Sequence, residues 1–279
     1  MNPTGKPHLN TRFWAELRTT DFARLNLART IAVLPVAATE QHGPHLPLNV
    51  DTVLVDGVVQ ACLPHLRADL PVLFLPTQTT GLSPEHQAFA GTLTHSAHTT
   101  LDMWTQLAES VSRSGVNKLV LLNSHGGQVG LMDVVGRDLR SRLHMLVYSV
   151  SWFNLPLGAA AEAFSADEHR FGIHAGDMET SMMLALRPDL VDMTAAQNFA
   201  STSQTRAQQF EILGNGKSAK LAWQTQDYNP HGAVGHAAAA TAEKGRALLE
   251  ASGKALAQLL AEIDQLPSDT LRPGSLTTS

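Results

Sequence analysis

At 279 residues, with a formal net charge of -5 and 16% charged residues, the chain is long enough for one compact layered domain with an ample core. That balance leaves no basic face for nucleic acid, and no run of like charges marks an interaction tail. Cys62 is the only cysteine, which excludes an intrachain disulfide framework and fits a reducing compartment. No stretch approaches about 18 uninterrupted apolar residues, and Met1-Asn2-Pro3-Thr4-Gly5-Lys6 has no apolar signal core behind it. The expectation is a soluble cytoplasmic protein without a membrane partner, acting on a small molecule or peptide.

In chain order, four short and almost wholly apolar runs read as strands buried on both faces: 31–36, 72–76, 119–123 and 146–150. Helix-length segments with apolar residues at three- and four-residue steps lie between them, at 50–64, 97–113 and 127–142. Alternation of this kind means a mostly parallel sheet covered on both sides. A further helix is expected over 175–186. After the turn-forming Asn229-Pro230-His231-Gly232, a long one is expected over 237–265. The residues from Pro267 to Ser279, rich in Ser, Thr and Pro, read as a frayed tail behind a single domain spanning 1–266.

Three clusters carry chemistry. The first is Glu40-Gln41-His42-Gly43-Pro44-His45-Leu46-Pro47-Leu48-Asn49-Val50-Asp51, where two carboxylates and an imidazole offer the donors that suit Zn, Mn or Fe in the +2 state. The second, Asn123-Ser124-His125-Gly126-Gly127-Gln128, directly follows the strand ending near Leu122. Ligands of open parallel sheets bind outside the carboxyl ends of the strands, so both clusters fall on one rim. The third is Phe171-Gly172-Ile173-His174-Ala175-Gly176-Asp177-Met178-Glu179, with His174 just before a helix start and Glu179 in its first turns. Asp177 is expected to serve only the helix dipole. Buried carboxylates need a positive partner, and no Arg or Lys lies near Glu40 or Asp51 in sequence, so a cation is the simplest one. His8, His65, His95, His98, His144, His169, His231 and His236 read as ordinary structural histidines. His45 and His86 are placed beside the ligands or on the pocket wall, and Cys62 as a buried small residue.

Taken together, Glu40-x-His42-Gly43-x-His45-Leu46-Pro47 with Asp51, Asn123-Ser124-His125-Gly126-Gly127, and His174-Ala175-Gly176-x-x-Glu179-Thr180-Ser181 resemble the creatininase (creatinine amidohydrolase) family. Ser83-Pro84-Glu85-His86 with Phe89-Ala90-Gly91-Thr92, and Gly232-Ala233-Val234-Gly235, extend the resemblance over most of the chain. It implies a three-layer αβα Rossmann-like domain with a mostly parallel sheet, a two-metal centre and a homohexamer. Carried onto this sequence, Glu40 and His125 match ligands of one ion, His42 of the other, Asp51 the bridge between them, and His174 a catalytic histidine.

One departure bears on the fifth ligand. Creatinine hydrolases place a glutamate two residues after the histidine that His125 matches, whereas this chain has Gly127; Glu179 is taken as its substitute. Gly126 stands where those enzymes have a bulky aromatic, and Arg170 does not supply an expected tryptophan, leaving Trp152 as one aromatic face for substrate. The expected activity is hydrolysis of a non-peptide, possibly cyclic, amide C–N bond of a small molecule by hydroxide held between two divalent ions (Zn, Mn or Fe), with His174 moving the proton. The alternatives are a peptidase trimming a short modified peptide, which predicts an open groove, and a non-catalytic metal-binding protein. No phosphate loop, dinucleotide fingerprint or nucleophile elbow is present.

Overall fold

The computed structural model describes residues 11–267 and 269–272. Strand β1 (Ile31–Val36) is buried along its whole length because each face is covered. Ile31 and Val33 point into one apolar cluster, Ala32, Leu34 and Val36 into another, following the two-residue period of a strand. The chain continues through α1 (Val50–Cys62), β2 (Val72–Phe74), α2 (Ala97–Arg113), β3 (Lys118–Asn123), α3 (Val129–Leu143) and β4 (Leu146–Ser151). It then forms α4 (Ala159–Glu162), α5 (Ala166–Phe171), α6 (Asp177–Leu186), β5 (Asn198–Phe199), α7 (Thr202–Gln209), α8 (Thr225–Tyr228), β6 (Gly235–His236) and α9 (Ala242–Gln265).

The main sheet is parallel throughout, in the order β2-β1-β3-β4. Trp104, Ala108 and Val111 of α2 and Met132, Val135 and Leu139 of α3 cover one face. Leu54, Val55 and Val58 of α1, Met182 and Met183 of α6, and Leu248, Leu256 and Leu260 of α9 cover the other. This is the three-layer arrangement expected from alternating apolar strands and amphipathic helices. The chain leaves β1 toward β2 on one side and returns to β3 on the other. The switch point, where an open sheet gapes at the carboxyl ends of its strands, therefore lies between β1 and β3. Val36 pairs with Asn123 at that end, so the segments after both strands start side by side.

Several boundaries differ from the sequence reading. Strand β2 stops at Phe74, ahead of Pro76, which has no N–H to donate. Helix α6 begins at Asp177 because Ala175 adopts a left-handed φ of 53° and His174 is bridged to Val234. The last helix begins at Ala242, where Thr241 accepts a hydrogen bond from the Lys244 N–H and caps it. Cys62 is buried, as expected. Expectations for the first ten residues, His8 among them, and for most of the tail fall outside the described residues. Among the described residues no helix is long and apolar enough to cross a membrane.

Candidate metal centre

Local hydrogen bonding brings the first two clusters together. After β1, the Glu40 N–H donates to Leu48 O at 3.0 Å, and His42 is bridged to Leu46. This folds the loop back so that Asp51, in the first turn of α1, faces Glu40. After β3, the Asn123 side chain accepts from the His125 N–H at 3.0 Å and donates to His125 O at 2.6 Å, which fixes the direction of the imidazole. Gln128 donates to Asn123 Oδ1 at 2.9 Å and holds the amide in turn. The third cluster arrives from the far side of the crevice, through the turn ahead of α6.

Glu40 Oε1 lies 3.1 Å from His125 Nδ1, 3.3 Å from His86 Nε2, 3.7 Å from His174 Nδ1 and 4.0 Å from His42 Nε2. Asp51 places Oδ1 3.6 Å from His42 Nε2 and Oδ2 3.4 Å from His125 Nδ1. Two groups of donor atoms, each within 4.8 Å of one another, share one residue: Glu40, Asp51 and His125 form the first, and His42, Asp51 and Glu179 the second. Glu40 also lies within the same limit of His42 with His174, and of Glu85 with His86.

The tautomers follow from partners that can act in one way only. Carbonyl oxygens solely accept, so His42 donates Nδ1–H to Glu40 O at 3.0 Å, His125 donates Nε2–H to Leu82 O at 3.0 Å, and His174 donates Nε2–H to Gln41 O at 2.7 Å. When neutral, His42 Nε2, His125 Nδ1 and His174 Nδ1 therefore present lone pairs to the acidic cluster. His86 is oriented the opposite way. The Gln41 amide donates to its Nδ1 at 2.7 Å and to Gly232 O at 2.8 Å, leaving the protonated His86 Nε2 beside Glu40 Oε1 at 3.3 Å without a formed hydrogen bond. His86 thus flanks a ligand, and its ring lies on the cavity wall.

The electrostatics describe a site short of positive charge. No Lys or Arg within the described residues pairs with Glu40, Asp51 or Glu179, although Glu40 and Asp51 are fully buried. Both oxygens of Glu40, Asp51 Oδ2 and His42 Nε2 are buried without a hydrogen-bond partner. Orphaned polar atoms of this kind are costly in a protein interior, and they are donors of the kind that divalent cations take. Burial pushes the Glu40 carboxyl up, and burial together with Asp51 pushes Glu179 up to about 7, although His42 opposes the rise in Glu179. Burial alone would lower His42, yet Asp51 beside it raises it to about 9; the imidazoles in turn hold Asp51 at about 2 against its own burial. Burial and the neighbouring His42 and His86 hold His174 well below its ordinary range, so it is neutral near pH 7.

The other residues singled out in the sequence fall in different places. Trp152 lines the cavity but is anchored, its indole N–H donating to Ser124 Oγ at 3.1 Å. His45 is not on the cavity wall. It stacks on Phe199 and contacts Thr180 Oγ1 at 2.9 Å, behind the loop that carries Glu40 and His42. Asp177 serves structure, as expected, but through a side-chain partner: Lys244 Nζ lies 2.7 Å away. His169, read as structural, does bond Ala161 O at 2.8 Å and also borders the cavity. Arg170 sits over the Phe171 ring, away from the cavity.

Sequence reasoning missed Glu85 as a participant, and missed Glu168, Lys220, Trp223 and Tyr228 as cavity residues. Glu85 stood next to His86 in a segment noted for its resemblance, and a buried carboxylate in so acidic a site was the available signal. The 210–224 stretch carries neither periodicity nor motif, and offered none.

These residues enclose a cavity of about 680 Å³ over the metal-type cluster. Phe153, Trp152, Trp223 and Tyr228 give it aromatic walls, and it reaches the surface beside the exposed Gly216 and Lys220. A volume of this order is typical of pockets for molecules larger than a single small ring.

Comparison with known proteins identifies the family. The family model for creatininase, described as creatinine amidohydrolase, matches residues 15–260. A mycofactocin precursor peptide peptidase of Mycobacterium ulcerans is 29% identical over 246 residues, covering 86% of this chain and 88% of that protein. A creatinine amidohydrolase of Pseudomonas putida is 30% identical over 185 residues, covering 61% of this chain and 70% of its own length. The crystal structure of a protein described as a putative creatinine amidohydrolase from Bacteroides fragilis superposes with a TM-score of 0.74 at 25% identity, covering 93% of this chain and 99% of that one.

Proposed function

We propose, for a chain that belongs to the creatininase family, that Glu40, Asp51 and His125 hold one divalent ion, that His42, Asp51 and Glu179 hold a second, and that the pair serves hydrolysis of an amide C–N bond. The sharing of Asp51 by two donor triads, buried except for a half-buried Glu179 and with no Lys or Arg among the described residues opposite them, carries this reading. The donor set, oxygen and imidazole without thiolate, suits Zn, Mn or Fe in the +2 state. When bound, such ions lower the pKa of water toward about 7 and polarise a carbonyl oxygen.

The chain's own groups supply the rest. Glu40 O and Leu82 O lock His42 and His125 with their lone pairs toward the centre, and His86 lies beside Glu40. Neutral His174 turns its Nδ1 lone pair toward the same point. It is arranged to take the proton that the attacking water sheds and to deliver it to the departing nitrogen as the C–N bond breaks. Because His174 is neutral near pH 7 with its Nδ1 lone pair facing the centre, acceptance is the earlier step and donation the later one.

The substrate we infer is extended. A compact ring such as creatinine leaves most of the cavity unfilled, whereas a short peptide or a linear amide reaches from the ligands to Lys220. The open, aromatic-walled cavity favours the second of the bond types weighed from sequence, a peptide bond, over a cyclic amide. Among the described residues Lys220 is the one Lys or Arg on the cavity wall, which suits a substrate bearing a carboxylate. Exposed Phe210, Ile212, Leu213 and Leu221 give the neighbouring surface an apolar character in keeping with association into a hexamer.

The test is to load purified protein with Zn²⁺, Mn²⁺ or Fe²⁺, count ions per chain, and screen short peptides, linear amides, formamides and cyclic ureas for release of amine. Two ions with turnover of an extended amide support the reading. Two ions without turnover of any amide would leave a metal-binding protein, and turnover of cyclic ureas alone would overturn the substrate assignment.

A further inference from the structure

Glu168, in α5, contributes no atom to either donor triad, yet its carboxylate is 5% exposed and fully engaged. Oε1 accepts from the Asp177 N–H at 2.7 Å, and Oε2 accepts from the His236 N–H at 2.8 Å. Asp177 is the first residue of α6, which carries Glu179; His236 ends the short strand β6 beyond Val234. Between these two anchor points, His174 and Val234 exchange main-chain hydrogen bonds, the His174 N–H reaching Val234 O at 3.2 Å and the Val234 N–H reaching His174 O at 2.7 Å. One carboxylate thus clamps both sides of the bridge on which His174 sits.

The surroundings are shaped to admit it. A Cβ at Gly176 would lie 2.2 Å from Glu168 Oε1, and one at Gly172 would lie 2.7 Å from its carboxyl carbon. The segment it holds is one that a free chain avoids, since Ala175 lies at φ 53° between His174 and Gly176. The Ala175 N–H then donates to Glu179 Oε2, so the geometry of the turn reaches a donor residue of the second triad directly.

We infer that Glu168 is a positioning residue that sets the turn from His174 to Glu179, and through it the second ion's site. This rests on the two-ion reading given above. A carboxamide at this position has only one acceptor oxygen, so in Glu168→Gln either the Asp177 or the His236 N–H meets an amide NH₂ instead of an oxygen. The turn relaxes and Glu179 withdraws from His42 and Asp51.

The experiment equilibrates wild type, E168Q, G176A and E179Q with Mn²⁺ or Zn²⁺, counts bound ions per chain by elemental analysis, and records far-UV circular dichroism and melting temperature. Expected are two ions in wild type and one in each variant, with the spectrum preserved. Gly176→Ala reaches the same end without altering Glu168, by crowding the carboxylate, and decides the matter if E168Q does not fold. A purely architectural role would lower the melting temperature and leave the count at two, and that result in the folded variants overturns the inference. A wild type holding a single ion would overturn it together with the two-ion reading, whereas failure of the Glu168 role alone shows only in the variants.

Discussion

Glu85 carries its carboxylate into the space that Gly127 leaves open: a Cβ at position 127 would lie 1.7 Å from Glu85 Oε1 and 2.6 Å from His125 Nε2. Glu85 Oε1 in turn lies 3.1 Å from His125 Nε2. The glycine that breaks the pattern of the creatinine hydrolases is therefore occupied from a different loop, by another carboxylate. Gly127→Ala must displace Glu85 or His125. We expect ion affinity to fall by roughly 10–100-fold, the usual scale for disturbing a group that orients a ligand. Competition against a chromophoric chelator measures this, and unchanged affinity would show that the contact is incidental.

Asp51 is the residue common to both triads, so its loss should differ in kind from the loss of the others. Asp51→Ala is expected to abolish both ions, whereas His42→Ala removes one. Chelation of the wild type should also destabilise it, because Glu40, Asp51 and Glu179 then face one another with only imidazolium protons in place of the ions. At ligand concentrations near 100 times Kd the linked stabilisation is about 2.7 kcal/mol, which corresponds to a melting shift on the order of 5–10 °C for a chain of this size. Calorimetry with and without chelator reads it directly; a D51A protein retaining two ions would break the shared-ligand scheme.

Removal of His174 should separate chemistry from binding. With its Nε2–H donated to Gln41 O and its Nδ1 3.7 Å from Glu40 Oε1, His174→Ala is expected to lower kcat by about 10²–10⁴-fold at an unchanged ion count. If the count fell instead, His174 would be a ligand within its group with Glu40 and His42, and the proton path would need another carrier.

Ion uptake should be steeply pH-dependent. In the metal-free protein His42 stays protonated up to about 9 and Glu179 up to about 7; each must surrender its proton before it can bind a cation. Raising the pH removes the competing protons, so affinity increases with pH, roughly tenfold per unit for each proton displaced. His125 and Glu40, both donors of the first triad, are also held above their ordinary ranges and add competing protons, so affinity should still be rising with pH through neutrality. Titration calorimetry in buffers of different ionisation enthalpy counts the protons released, and an affinity flat from pH 6 to 8 would contradict the arrangement.

The residue types, their order and their placement after apolar strands were legible in the sequence. A strand buried on both faces must be apolar throughout, so Ile31–Val36 and Lys118–Asn123 announce a covered parallel sheet, and an open parallel sheet binds at its carboxyl ends whatever the chain. Asp177 could be set aside because an acidic residue in a first helical turn has a local explanation that needs no ion, but Glu179 shares that turn, and only the packing brings it beside His42 and Asp51. What local sequence does not encode is distance between segments far apart in the chain. Glu85 against Gly127, Lys220 and Trp223 on the cavity wall, and Glu168 beneath the turn that carries His174 have no periodicity to reveal them. His45 reads in sequence like a neighbour of the ligands, but its Nε2 faces Thr180 behind them. Only the packing of α5, α6 and β6 against the switch point between β1 and β3 decides which side of each loop faces the crevice. A chain can fix what donors it has by composition alone, but which of them meet is set by long-range burial.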